Sequence, residues 1–151
     1  MAAGQAAAMG YRHVYWYREG LAGWKKDHNL LESLNFKYAH RKLPEPIAPR
    51  DLYEKLASNP RYVLVDIRDD QTRHKDGIIA GPTEVLPLYR FHTEYDQLPD
   101  DRILVVYDIN AHQAPAAIRY LLEQKYYFTR LTYLAGGLSA WKREGLPVKA
   151  F

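Results

Sequence analysis

Two continuous apolar runs constrain the fold of this chain more than any other feature. Tyr62–Asp66 reads Tyr-Val-Leu-Val-Asp and Ile103–Tyr107 reads Ile-Leu-Val-Val-Tyr, and each run leads into an acidic residue, Asp66 or Asp108. Apolar runs of this length without alternation are typical of strands that are covered on both faces. The two runs therefore predict central strands of a parallel sheet.

Further elements alternate with these strands along the chain. The periodicity predicts helices over residues 49–58, 89–95, 115–125 and 138–143, and short strands over residues 84–88 and 130–134. Alternating strands and helices indicate an α/β fold, with a parallel sheet and helices on both faces. Because ligands of such sheets bind at the carboxyl ends of the strands, Asp108 lies at a candidate site.

The loop after the second apolar run should form a cradle of backbone N–H groups. Residues 109–114 read as a short loop, and Pro115 falls in the first turn of the helix that follows. A strand, a tight loop and a helix N-terminus together present N–H groups to an anion or a nucleophile. The first position of this cradle is the carboxylate of Asp108, so the cradle begins with an anion of its own.

The composition excludes several classes of protein. The chain has 151 residues, enough for one well-buried domain, and a formal charge of +3 with a sequence pI near 9.0. The basic residues are scattered, and the densest group, residues 40–42, falls in a predicted linker, so nucleic-acid binding is not expected. The absence of cysteine excludes a disulfide frame, a thiolate zinc site and a thiol nucleophile.

No targeting or membrane-spanning segment is expected. No apolar run approaches the roughly 18 residues of a transmembrane helix. The sequence from Met1 has no basic segment followed by an apolar stretch, so it does not resemble a signal peptide. These features predict a cytoplasmic protein without a membrane partner.

An internal similarity links the two ends of the chain. Residues 14–26 align without gaps on residues 131–143, and four positions match identically: Gly20, Leu21, Trp24 and Lys25 correspond to Gly137, Leu138, Trp141 and Lys142. The similarity predicts that residues 1–26 are the end of a second copy of the same domain, that residues 27–47 are a linker and that residues 48–151 form the main domain. The alternative is that both segments are merely strand–turn–helix units.

Residues 1–26 also raise a problem of burial. A strand over residues 14–17, Val-Tyr-Trp-Tyr, has a large apolar surface and unpaired backbone groups that must be covered. We therefore expect a protein partner, or self-association of the chain, through residues 1–26.

Three motifs in series resemble those of the rhodanese (sulfurtransferase) homology domain. They are Val-Asp-Ile-Arg at residues 65–68, Gly-Ile-Ile-Ala-Gly-Pro at residues 77–82, and Leu-Ala-Gly-Gly-Leu-Ser-Ala-Trp at residues 134–141. The resemblance covers residues 48–149 and implies a five-stranded parallel sheet flanked by helices. It also implies that residues 1–26 correspond to the last helix, strand and helix of an upstream rhodanese copy.

The loop after the predicted strand Ile103–Tyr107 departs from the family pattern. Active members read Cys-x-x-Gly-x-Arg-Ser there, whereas this chain reads Asp108, Ile109, Asn110, Ala111, His112, Gln113 and Ala114. Asp108 stands at the position of the persulfide-carrying cysteine, and Ala111, Gln113 and Ala114 stand at those of the glycine, arginine and serine. A carboxylate cannot carry a persulfide, so the resemblance implies an active-site loop without a catalytic residue.

Electrostatics lead to the same expectation. Two like unit charges about 4 Å apart repel by roughly 4 kcal/mol at an effective dielectric constant near 20, so Asp108 opposes thiosulfate or phosphate at the loop. The N–H groups of the loop can bind the Asp108 carboxylate itself instead. We therefore expect a rigid loop, no cofactor and no metal, in a structural, regulatory or protein-interaction module of a tandem sulfurtransferase-related protein.

An enzyme is the alternative, in one of two forms. Asp108 with Asp69 or Asp70 could hold Mg²⁺ and support a hydrolase, or a sulfurtransferase could carry its catalytic cysteine outside this chain. Against the metal, Asp66 and Arg68 are expected to form a structural pair, while Asp69 and Asp70 are solvated. His112 could act as a general acid or base, but an exposed loop histidine without a function is the simpler interpretation.

Overall fold

The computed structural model describes Ala8 and residues 42–124 and 128–151. The chain divides into two compact units, Met1–Lys37 and Tyr38–Phe151, and the elements described below belong to the second. The predicted second copy in residues 1–26, its strand over residues 14–17 and most of the predicted linker lie outside the described residues. These interpretations stay predictions.

Five helices and six strands make up the described part of the chain. In chain order they are α1 (Pro49–Ser58), β1 (Tyr62–Asp66), α2 (Asp70–Asp76), β2 (Ile78–Ile79), β3 (Thr83–Val85), α3 (Phe91–Glu94), β4 (Ile103–Tyr107), α4 (Ala114–Glu123), β5 (Leu131–Tyr133), α5 (Gly137–Arg143) and β6 (Val148–Lys149). Short 3-10 turns occur at Leu88–Arg90, Tyr95–Gln97 and Phe128–Arg130.

Four parallel strands form the main sheet, in the order β3, β1, β4, β5. The two continuous apolar runs are its central pair, β1 and β4, as the sequence predicts. Their register places Asp66 beside Tyr107. Asp66 and Asp108 therefore lie at the same edge of the sheet, where its strands end.

A single residue occupies the place of the expected fifth strand. Ile47 forms a parallel bridge with Leu134 beyond β5, donating its N–H to the Tyr133 carbonyl at 2.9 Å and accepting from the Ala135 N–H at 2.9 Å. The next residue in the chain whose N–H would face the same side is Pro49, which has none and begins α1, so the pairing cannot extend beyond Ala48. On the other side, the Glu45 carbonyl accepts from the Thr132 hydroxyl at 2.7 Å instead of from a backbone N–H. The described sheet accordingly has four strands, not five.

The core lies in two layers, one on each face of the sheet. Leu64 and Val105 of the central strands pack with α1 and α5 on one face, where Trp141 is fully buried. Val65 and Val106 pack with α3 and α4 on the other face. Successive strand residues point to opposite faces, so continuous apolar runs are needed here. The expected helices on both faces are confirmed.

Short elements account for most differences from the sequence prediction. Helix α2 and the antiparallel pair β2–β6 were not expected, because they are brief and α2 is highly polar. The strand predicted over residues 84–88 is Thr83–Val85, since Pro87 cannot donate to a ladder. The helix predicted over residues 89–95 is divided between α3 and two 3-10 turns.

The described helices are short. The longest, α1 and α4, have 10 residues each, about half the length that crosses a bilayer. In the part of the chain that the structure describes, no helix is long and apolar enough to span a membrane.

Candidate functional site

The loop from Asp108 to Gln113 joins the end of β4 to the start of α4, at the edge of the sheet where β1 also ends. The β4 side chains alternate between the two layers of the core, so the strand direction is fixed up to Tyr107. Pro115 is at the start of α4, where its missing N–H breaks no helical hydrogen bond. The sequence thus fixes both ends of the loop.

The Asp108 carboxylate is bound by the backbone of its own loop. Its Oδ1 atom accepts from the N–H of Asn110 at 3.1 Å and from that of Ala111, and its Oδ2 atom accepts from the N–H groups of Gln113 at 2.5 Å and Ala114 at 3.2 Å. Asp108 is only 3% exposed. The expectation that the loop N–H groups bind this carboxylate is confirmed.

Two backbone features adapt the loop to this arrangement. Ala111 has a left-handed conformation, with φ 64°, which an alanine rarely adopts. Gly137, at the start of α5, packs directly beneath the loop. A Cβ atom there would lie 2.6 Å from the Asn110 nitrogen and 2.6 Å from the Asp108 carbonyl oxygen. Gly137, the second glycine of the pair that follows β5, is therefore needed for close approach to the loop.

Helix α5 also holds the loop by hydrogen bonds. The N–H groups of Leu138 and Ser139 donate to the carbonyls of Asp108 at 2.9 Å and Ile109 at 2.8 Å. The first N–H groups of a helix have no partner within the helix, so these bonds satisfy the helix and the loop together. The loop is fixed on one side by its own carboxylate and on the other by α5.

A buried ion pair supports the neighbouring strand end. Arg68 donates to Asp66 from Nε at 2.9 Å and from Nη2 at 2.5 Å, and the Tyr107 hydroxyl donates to Asp66 at 2.7 Å. The expected structural pair is confirmed. Burial acts to lower the pKa of Arg68, but the hydrogen bond and charge of Asp66 outweigh it and raise that pKa. Burial, followed by the charge of Asp66, raises the pKa of Tyr107.

The loop borders a cleft of about 630 Å³. Five of the six loop residues line it: Asp108, Ile109, Asn110, His112 and Gln113. Across from the loop, its lining includes Arg68, Asp69 and Thr72, together with Leu88 and Tyr89. His112 is exposed, as expected of a loop histidine. The structure thus brings the predicted loop together with the segments that follow β1 and β3.

The acidic residues proposed for a metal site have other roles. Asp69 caps α2, accepting from the Thr72 N–H at 2.8 Å and the Thr72 hydroxyl at 3.0 Å. These hydrogen bonds lower the pKa of Asp69. Asp70 forms an ion pair with Arg73. Within residues 42–124 and 128–151, no group of three or more histidine, aspartate and glutamate residues could hold a metal ion.

One residue that lines the cleft, Tyr89, belongs to none of the sequence motifs. Tyr89 lies in the 3-10 turn Leu88–Arg90 and is 62% exposed, although it lines the cleft. The sequence places it in a predicted helix without a role. Its neighbour Pro87 marks a break after β3, but only the fold brings that break beside the loop.

Comparisons with known proteins agree with this architecture. The family model of the rhodanese-like domain matches residues 48–144. A sulfurtransferase of Allochromatium vinosum is 33% identical over 104 residues, which are 69% of this chain and 94% of that protein. A probable molybdopterin-synthase adenylyltransferase of Pyropia yezoensis is 32% identical over 89 residues, covering 58% of this chain and only 22% of that protein.

The solved structures give the same fold. The solution structure of a rhodanese-like domain from Anabaena sp. is 26% identical, with a TM-score of 0.61, and the match covers 70% of this chain and 79% of that one. The family model covers well over half of the chain, and the sulfurtransferase is covered almost completely. The chain therefore belongs to the rhodanese-like domain family.

Proposed function

We propose that this chain is a non-catalytic rhodanese-like domain that acts as a structural, regulatory or protein-interaction module. One observation carries the proposal: the Asp108 carboxylate accepts four backbone hydrogen bonds in the loop that resembles the active-site loop of the family. The N–H groups that could bind a thiolate or an anionic substrate are already occupied.

The chemistry of sulfur transfer supports the same conclusion. A persulfide forms only on a thiolate, and the chain contains no cysteine. Asp108 is the residue at the matching position of the loop, and it is nearly buried. A carboxylate held in this way has neither the nucleophilicity nor the accessibility that sulfur transfer needs.

An interaction role is consistent with the geometry of the loop. Asp108 binds four backbone N–H groups and α5 binds two carbonyls of the loop, so its shape does not depend on a substrate. We further propose that residues 1–26 associate with a protein partner or a second copy of the chain, because the apolar sequence of residues 14–17 needs a cover.

The test compares the wild-type protein with Asp108→Ala by thermal shift, in titrations of sulfate, phosphate, thiosulfate and Mg²⁺. The variant loses the acceptor for four N–H groups, so we expect it to be less stable by about 2–3 kcal/mol. Sulfate and thiosulfate should then raise its melting temperature, because an external anion can occupy the vacated cradle. The wild-type protein should respond to none of the ligands.

The matched control is Asp51→Ala, which removes an exposed carboxylate from the first turn of α1, away from the cleft. It should show no response to anions. Thiosulfate:cyanide sulfurtransferase activity is measured in parallel and should be absent from all three proteins. Turnover by the wild-type protein, or Mg²⁺-dependent stabilisation that Asp108→Ala abolishes, would contradict the non-catalytic function.

A further inference from the structure

Among the described residues, three arginines lie in or beside the cleft, and each is paired with a carboxylate. Arg68 lines the cleft, Arg73 follows the lining residue Thr72, and Arg90 follows the lining residue Tyr89. Their partners are Asp66 at 2.5 Å from Arg68, Asp70 beside Arg73, and Glu94 at 2.5 Å from Arg90. Each pair cancels its own charge, so none of these arginines gives the cleft a free positive charge.

Two carboxylates of the cleft form no salt bridge with the described residues, although the charge of Arg73 also acts on Asp69. Asp69 is exposed and is hydrogen-bonded to Thr72, while Asp108 is hydrogen-bonded to four N–H groups of its loop. Neutral donors stabilise a carboxylate without removing its charge. The N-terminus of α4 offsets part of the charge of Asp108, but that of Asp69 faces solvent at the cleft. The cleft therefore favours a cation over an anion.

Tyr89 adds a second feature that suits a cation. It is 62% exposed, the highest value among the large hydrophobic residues that the structure describes as exposed, and it lines the cleft. An aromatic face at an acidic cleft attracts an ammonium or guanidinium group through its quadrupole.

Arg68 adds a third feature, a hydrogen-bond donor that suits a neutral acceptor and not a cation. Its side chain is 2% exposed, and its Nη1 atom has no hydrogen-bond partner among the described residues although the other guanidinium nitrogens donate to Asp66. A buried N–H donor without an acceptor is costly, and a carbonyl oxygen that reached it from the cleft would satisfy it. A peptide carries carbonyl oxygens and a basic side chain together, and about 630 Å³ accommodates a side chain with its adjoining backbone.

We propose that this cleft binds a basic segment of a partner protein, with a lysine or arginine side chain directed to Asp69 and Tyr89. The inference rests on the proposed function, because it names the surface and the chemistry through which an interaction module acts. The proposed ligand also differs in charge from that of a sulfurtransferase. A sulfurtransferase takes an anionic sulfur donor, whereas this cleft would take a cationic side chain.

The experiment titrates the full-length ¹⁵N-labelled protein with a capped peptide, Gly-Ala-Arg-Ala-Gly, and records two-dimensional amide spectra. The matched probe has citrulline in place of arginine, which keeps the shape and removes the charge. We expect saturable shifts of the amides of Asp69, Thr72, Tyr89 and His112 with the arginine peptide. The citrulline peptide should bind about two- to fivefold more weakly, the upper part of the range for one exposed ion pair.

Two variants locate the site. Asp69→Asn keeps an N-cap for α2, because asparagine caps as well as aspartate, yet it should weaken binding of the arginine peptide by about two- to fivefold. Tyr89→Ala removes an exposed side chain and should weaken binding by a similar factor, whereas Tyr89→Phe should bind normally. Asp51→Asn, which removes an equivalent charge from α1, should have no effect.

Several outcomes would overturn the inference. These are equal binding of the citrulline peptide, no shifts at millimolar peptide, shifts confined to residues away from the cleft, or equal binding of spermidine, which would indicate a site for free polyamines. None of them bears on the assays of sulfur transfer and anion binding. The peptide titration can therefore fail while the assays still support the non-catalytic function. Conversely, sulfurtransferase activity could contradict the non-catalytic function while the peptide binds.

Discussion

Ala111 is the residue of the loop whose backbone conformation least suits its side chain. Its φ of 64° lies in the left-handed region, where a Cβ atom approaches the following carbonyl and costs about 1–2 kcal/mol. The family motif that the loop resembles has glycine at this position. The loop thus keeps the conformation of a glycine while carrying an alanine.

We expect Ala111→Gly to stabilise the protein by about 0.5–1 kcal/mol, since the relief of strain exceeds the extra entropy of glycine in the unfolded chain. Chemical denaturation measures the difference. Ala116→Gly, in the first turn of α4, is the control and should cost up to about 1 kcal/mol. A loss of stability in Ala111→Gly would show that the alanine side chain contributes packing that outweighs its strain.

At the scale of secondary-structure elements, the close contact between α5 and the loop can be tested by substitution of glycines. Gly137 and Gly145 both have positive φ, at 60° and 68°, but only Gly137 has atoms close to the position of an added Cβ. For Gly145, nothing lies within 4 Å. The two positions therefore separate backbone strain from steric exclusion.

We expect Gly145→Ala to cost about 1 kcal/mol, from backbone strain alone. Gly137→Ala should cost about 3 kcal/mol or more, because the new methyl group must displace the backbone of Asp108 and Asn110. Denaturation midpoints give both values, and amide spectra should show the loop disturbed only in Gly137→Ala. Equal losses of stability in the two variants would mean that the loop backbone moves away from the new methyl group at no cost in free energy.

The elements that the sequence predicts well are those whose pattern is fixed by burial. Strands β1 and β4 are apolar throughout because both faces are covered, and their bounds match the prediction. The pair β2–β6 has only two residues per strand, too few to produce a periodicity. Helix α2 could have been found from its caps, since Asp69 precedes it and Gly77 follows it.

The candidate site was predictable for its loop and not for its cleft. The loop is one continuous segment, so its residues can be read from a motif, including the role of Asp108 as an internal anion. The opposite wall comes from segments after β1 and β3, which are separated from the loop in sequence. Tyr89 enters the site only through the order of strands in the sheet.

On the scale of the whole molecule, a buried charge network joins the strand ends to the segment before β2. Asp66 accepts from Arg68 and Tyr107, and Arg68 also donates to the Gly77 carbonyl at 2.8 Å. Asp66 is fully buried and Arg68 is nearly so. The network thus connects β1, β4 and the end of α2 beneath the cleft.

Arg68→Met leaves the buried Asp66 without its cation, and we expect a loss of about 3–5 kcal/mol. Tyr107→Phe removes one hydrogen bond to a charged group and should cost about 1.5–3 kcal/mol. Urea denaturation of the two single variants and the double variant measures their coupling. Strict additivity would indicate that the three residues do not act as one network.

The self-contained hydrogen bonding of the loop has a consequence for the kinetics and entropy of association. A loop that is ordered only when its partner arrives loses conformational freedom at that moment, which weakens the complex. Here Asp108 and α5 impose that order during folding. In the proposed interaction, a docking protein would meet a wall that already has its final shape, so encounter would need no rearrangement of the loop. The lifetime of the complex would then depend on the groups that face the cleft.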